Sequence, residues 1–182
     1  MGKTTWTILV ALLLAFYNPS IAFAQKEAGS SAATVKDLPE VTVDRRASVL
    51  KAYLEAKNSP LNPSAATFIK TADKYNLDWK LVVAISGVES TFGQQIPYNS
   101  YNAWGWGIYG DNTIRFSSWD EGIETISKGL REKYMDKWEA QNVYQIGQFY
   151  AASPTWAQRV DSIMRQIDSF AAKDTSSLSI SL

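Results

Sequence analysis

Cysteine and histidine are both absent from the 182 residues. Without cysteine the chain has neither disulfide staples nor a thiol nucleophile, so its stability has to come from a packed core. Without histidine it has no Ser-His-Asp triad, no Cys-His peptidase pair and no His-ligated zinc site. Charge of either sign in excess is also missing: 18 basic residues balance 18 acidic ones. No basic patch therefore argues for nucleic acid or for an anionic membrane surface. What survives is carboxylate, tyrosine or lysine chemistry, or plain binding.

The one long apolar run lies at the start. Lys3, the apolar stretch Trp6 to Phe16 and the small-x-small triplet Ala22-Phe23-Ala24 read as a secretory signal over residues 1–24. The run is short for a bilayer span, so no stable membrane span is expected after its removal. Loss of Lys3 leaves 17 basic against 18 acidic residues. Residues 25–43, rich in Ala, Ser and Lys, read as a flexible linker, residues 44–172 as one domain, and residues 173–182 as a disordered tail.

Within the domain, apolar residues recur at helical spacing. Asp44 to Asn58 carries Val49, Ala52, Tyr53 and Ala56. Asn62-Pro63 reads as the cap and first position of a second helix with Phe68, Ile69, Ala72 and Tyr75 on its buried face. Asp78 caps a third, stopped by Gly93. Ser118 and Glu121 form a capping box before the stripe Ile123, Ile126, Leu130 and Tyr134. Asn142 to Tyr150 and a last helix begun at Ser153-Pro154 complete about six helices. Gly110-Asp111-Asn112 marks one short hairpin. The pattern predicts a mainly helical domain of the α+β kind.

Glu89 is the anomaly in that pattern. It follows Val82 by seven and Ile85 by four, so it falls on the apolar stripe of the third helix rather than on its wet face. It also sits in the last turn, where the helix dipole disfavours negative charge. Burial and dipole both favour the protonated form, as a general acid for glycosidic cleavage requires. Five aromatics follow within twelve residues: Tyr98, Tyr101, Trp104, Trp106 and Tyr109. Flat rings beside an acid suit sugars, whose C–H faces stack on aromatics. Rings of this kind also fill cores, and either use is open to each of them.

Four segments in order carry a family resemblance. Gly87-Val88-Glu89-Ser90-Thr91-Phe92-Gly93 resembles the Glu-Ser segment of soluble lytic transglycosylases and bacterial glucosaminidase autolysins of the lysozyme-like superfamily. Asn102-Ala103-Trp104-Gly105-Trp106-Gly107-Ile108 is similar to the autolysin Asn-x-Phe-Gly-Ile segment, two residues longer. Phe116 to Ile123 resembles the stretch that opens the next helix, and Tyr150-Ala151-Ala152-Ser153-Pro154-Thr155-Trp156 resembles Tyr-Ala-Thr-Asp-Pro-x-Tyr, with Ser153 for the Asp and Trp156 for the last Tyr.

The resemblance implies a lysozyme-like fold and places peptidoglycan glycan strands as substrate, outside the cytoplasm, with no cofactor. It implies that Glu89 is the catalytic acid, that Ser90 closes the helix beside it, and that Tyr150 is a second catalytic residue, across the groove as the hydrogen-bond partner of Glu89 or the stabiliser of the intermediate. Ser90, Asn102 and Trp156 join the five aromatics as expected substrate-binding residues, and a monomer is expected. The transglycosylase Gly-Leu-Met-Gln-like segment is missing, which leaves hydrolysis and anhydro-forming transglycosylation both open.

A second carboxylate would separate mechanisms, with Asp111, Glu121 and Glu124 the nearest in sequence. Glu121 already caps a helix and Asp111 suits a turn, so a mechanism led by one acid is expected. Two other classes compete. A carbohydrate-binding protein could use the same scaffold without catalysis. A Ser-Lys acyltransferase could use Ser48 and Lys51 with Ser100-Tyr101-Asn102, but the Lys-Thr-Gly element of such enzymes does not follow.

Overall fold

The computed structural model describes residues 44–107 and 112–178, with side chains through residue 173. Six α-helices appear in order: α1 Arg46–Ala56, α2 Ala65–Lys74, α3 Leu81–Ser90, α4 Trp119–Gly129, α5 Val143–Tyr150 and α6 Trp156–Leu178. A 3-10 turn, Asn62–Ser64, precedes α2, and a π-helical stretch, Leu130–Lys137, prolongs α4. The mainly helical class expected from the pattern is the class observed. The signal and linker expected over 1–43 lie outside the described residues, as do Tyr109 and Asp111. Next to the expected hairpin turn, whose residues 108–111 lie outside the described ones, Asn112 holds an isolated bridge.

Helix α3 is the centre. Leu81 to Ser86 are buried without interruption, as befits a helix apolar nearly all round. It packs chiefly against α6, while α2 bridges α1 and α4, and α5 leans on α6. Gly87 makes the α3–α6 approach possible. A Cβ there would stand 2.7 Å from the Phe92 ring and 2.8 Å from Ile163 Cδ1.

Caps set the helix starts. Ser118 Oγ accepts from Glu121 N at 3.1 Å, and Glu121 Oε2 accepts from Ser117 N at 2.6 Å. The capping box is thus formed with its return arm one residue further out. Asn142 Oδ1 accepts from the amides of Tyr144 and Gln145, both at 3.0 Å, and opens α5. Asn62 does not cap α2. It lies inside the 3-10 turn and its Nδ2 donates to Ser59 O at 3.1 Å, so α2 begins at Ala65 rather than at Pro63. Asp78 accepts from Lys80 N at 2.9 Å and serves as a turn ahead of α3. The helix α6 runs to Leu178, past the Lys173 at which a disordered tail was expected. No helix among the described residues is long and apolar enough to cross a membrane.

Candidate active site

Helix α3 ends at Ser90, before the glycine expected to stop it. Thr91 and Phe92 both take left-handed backbone, φ 53° and 58°, and Phe92 N reaches back to Ser86 O at 3.0 Å. This abrupt end leaves Glu89 on the last turn, facing the loop 100–107.

That loop is locked onto α3. The Ser90 hydroxyl lies 2.8 Å from Ala103 O and 3.0 Å from Ser86 O, and it accepts from Gly93 N at 2.9 Å. Trp104 Nε1 donates to Val82 O at 2.9 Å, from a ring with no exposed surface. Asn102 gathers the loop about itself. Its Oδ1 accepts from Trp106 N at 3.0 Å and its Nδ2 donates to Trp106 O at 2.8 Å and Ile114 O at 3.0 Å. Ser90, Asn102 and Trp104 are therefore buried and build the site rather than line it, contrary to the expectation that they bind substrate.

The result is that Gly105 meets the acid. Its φ is +62°, and a Cβ there would lie 3.2 Å from Glu89 Oε2. The other carboxylate oxygen is taken: Trp156 Nε1 donates to Glu89 Oε1 at 2.6 Å. Trp156 is 2 % exposed, so it too is no groove residue but a fixed donor, delivered by the first turn of α6. Arg159, one turn on, donates to Val88 O at 3.1 Å and completes the end of α3. Glu89 itself is exposed. The desolvated carboxyl expected from the stripe is not found, because the helix ends just where the stripe would carry Glu89 inward.

Tyr150, at the end of α5, stands near the acid but does not bond it. Its hydroxyl donates to Trp104 O at 2.8 Å, and its ring stacks on Trp156 with centroids 4.8 Å apart. Burial, then the negative charge of Glu89, then Tyr134 push the Tyr150 phenol well above its usual range. Tyr150 thus stays a neutral donor that ties α5 to the loop.

Beside Gly105 opens a cavity of about 500 Å³ lined by Trp106, Ile114, Lys133, Tyr134, Trp138, Phe149 and Tyr150 among others. Trp106 is half-buried there, over Gly129, whose missing side chain leaves its ring room. Lys133, Trp138 and Phe149 are the wall residues that sequence reasoning missed. Tyr134 is buried with Ile123, Ile126 and Leu130 as its stripe predicts and also borders the cavity, whereas α5 turns Phe149 outward, half exposed. Tyr98 and Tyr101 lie apart from the cavity. Tyr98 is 84 % exposed, and Tyr101 meets Trp119 edge-on at 5.1 Å in a separate hollow with Pro63 and Ser118.

Neither described candidate for a second carboxylate is free. Glu121 bonds Ser117, which lowers its pKa, and Glu124 is lowered by Lys74 and then Tyr75. Ser48 and Lys51 of the Ser-Lys alternative are both exposed, Ser48 donating to Arg45 O at 2.9 Å and Lys51 pairing with Glu55 at 3.7 Å. Among the described residues no cluster of three acids suited to a metal occurs.

No protein-family model matches the chain. Two curated proteins from Streptococcus pneumoniae strains, both carrying the name endo-beta-N-acetylglucosaminidase, are 27% identical to it over 143 residues. The match covers 73% of this chain but 22% and 20% of the relatives, so the chain spans about a fifth of their length. Two crystal structures of S. aureus Autolysin E are similar in fold. A catalytic mutant in complex with the disaccharide NAG-NAM has a TM-score of 0.58 at 20% identity, covering 66% of this chain and 65% of that one. A complex with the muropeptide NAM-L-Ala-D-iGlu has a TM-score of 0.57 at 21% identity, with the same coverage. The chain thus has a mainly helical, lysozyme-like fold, and in sequence and architecture it resembles the bacterial glucosaminidases.

Proposed function

We propose that this chain is an extracytoplasmic glycosidase that cleaves β-1,4 bonds in peptidoglycan glycan strands, with Glu89 as its general acid and base. The observation that carries this reading is the setting of one carboxylate. Oε1 is held by an indole N–H that can only donate, while Oε2 is the oxygen beside Gly105, a residue that itself lines the aromatic cavity. A glycan laid along the cavity excludes water from the carboxyl that is exposed in the free protein.

In this reading Oε2 passes its proton to the glycosidic oxygen as the C–O bond to the departing sugar breaks. Glu89, now ionised, takes a proton from the nucleophile. Water as nucleophile gives a reducing end, and a hydroxyl of the same sugar gives an anhydro end. The names of the relatives and the ligands of the structural neighbours support peptidoglycan as substrate. The test is digestion of purified peptidoglycan by the wild type and by Glu89→Gln, with mass spectrometry of the fragments. A general acid contributes roughly 10²–10⁴-fold, so Glu89→Gln is expected to lose cleavage while keeping its fold. Activity retained within about tenfold overturns the assignment, and the fragment ends report bond and nucleophile together.

A further inference from the structure

The cavity beside Glu89 has neutral ring walls and one charged residue, Lys133. Its ammonium is held on two aromatic faces, 4.8 Å from the Trp138 centroid and 5.9 Å from that of Tyr134. The two acids on the same stretch are engaged elsewhere. Glu132 pairs with Lys128 at 3.9 Å, and Arg131 and Asp136 pair with each other at 3.6 Å. Among the described residues no ion pair involves Lys133. An ammonium fixed on rings keeps its three N–H donors for whatever enters.

We propose that Lys133 is a specificity-determining residue that recognises a carboxylate on the bound glycan, so that the cavity prefers sugars bearing an acid over neutral ones. The inference rests on the glycosidase reading and deepens it. Glu89 lies by Gly105, and Lys133 is the one cation on the cavity wall. A sugar whose carboxylate is drawn to Lys133 keeps that group away from Glu89, which becomes a carboxylate once it has given up its proton, and the reversed orientation brings the two together. The same cation therefore selects the substrate and sets its direction. A volume of about 500 Å³ is within the usual span of small-ligand sites.

The experiment uses the Glu89→Gln protein, which binds without cleaving, and two probes: the disaccharide of N-acetylglucosamine and N-acetylmuramic acid, and its methyl amide. Calorimetry is expected to show the acid bound about fivefold more tightly than the amide, a preference that shrinks as salt rises. Adding Lys133→Met is expected to erase the preference for the acid over the amide, whereas Lys133→Arg retains it. A preference that survives Lys133→Met, or none in the Glu89→Gln protein, overturns the role of Lys133 alone. Binding of neither probe overturns both this role and the glycosidase reading.

Discussion

Trp156 Nε1 and Glu89 Oε1 are 2.6 Å apart, one on the first turn of α6 and the other on the last turn of α3. The contact joins residues 67 apart in sequence and uses a ring buried among Tyr150, Ala157 and the α5 backbone. The indole offers a single donor and no acceptor, so it fixes which oxygen is bound and leaves the other for chemistry.

Trp156→Phe keeps a buried ring and deletes that donor. Turnover is expected to fall about tenfold, since a hydrogen bond to a charged group contributes about 1.5–3 kcal/mol. The smaller ring costs about 1–2 kcal/mol of stability. Steady-state kinetics well below the melting temperature separate the two. Unchanged turnover in a folded variant would show that Glu89 keeps its position without the indole.

Trp104 and Trp106 stand two residues apart and are expected to respond in opposite ways. Trp104 is wholly buried, packs on Phe68 at 6.4 Å and bonds α3, so Trp104→Ala is expected to cost about 3–5 kcal/mol. Trp106 lines the cavity, and Trp106→Ala is expected to weaken glycan binding about tenfold with a smaller loss of stability. Paired urea denaturation and glycan titration decide between the assignments.

How far this division could be read beforehand depends on distance along the chain. The capping residue Ser118 acts on an amide three positions away and was legible. So was the Glu89 position near a helix end. Whether Trp104 or Trp106 turns inward is set by the left-handed Gly105 and by bonds from Asn102, Val82 and Ser90, and spacing alone carries no sign of them. The Trp156 contact and the cavity wall are tertiary pairings.

Alkaline pH is expected to destabilise the fold from about pH 10, the ordinary phenol value. Tyr53 is pushed up to about 12 by burial, and Tyr150 is raised by burial first and then by Glu89 and Tyr134. Above pH 10 the unfolded chain loses phenolic protons that the folded chain keeps. The stability contributed by these groups is therefore complete below the unfolded value and is lost as pH rises toward the folded one. Urea midpoints from pH 8 to pH 11 test this, and Tyr53→Phe and Tyr150→Phe should each flatten the decline. A decline of equal slope in both variants would assign the effect to other groups.

Gly105→Ala tests whether Oε2 is the working oxygen. The backbone there has φ +62°, so alanine is expected to cost about 1 kcal/mol through strain alone. Its Cβ would also stand 3.2 Å from Oε2, closer than a comfortable contact, so the carboxylate has to move. A displaced reacting group loses rate steeply, and turnover is expected to fall at least about tenfold. Gly107→Ala is the control. Gly107 has φ +61°, but its Cβ would strike the Ile114 side chain instead of the acid. Gly107→Ala is therefore expected to lose more stability and less turnover per folded molecule than Gly105→Ala. Activity and thermal unfolding measured on the same preparations give both quantities. If Gly105→Ala turns over at the wild-type rate, the proton does not leave from Oε2, and the glycan approaches Glu89 from another side.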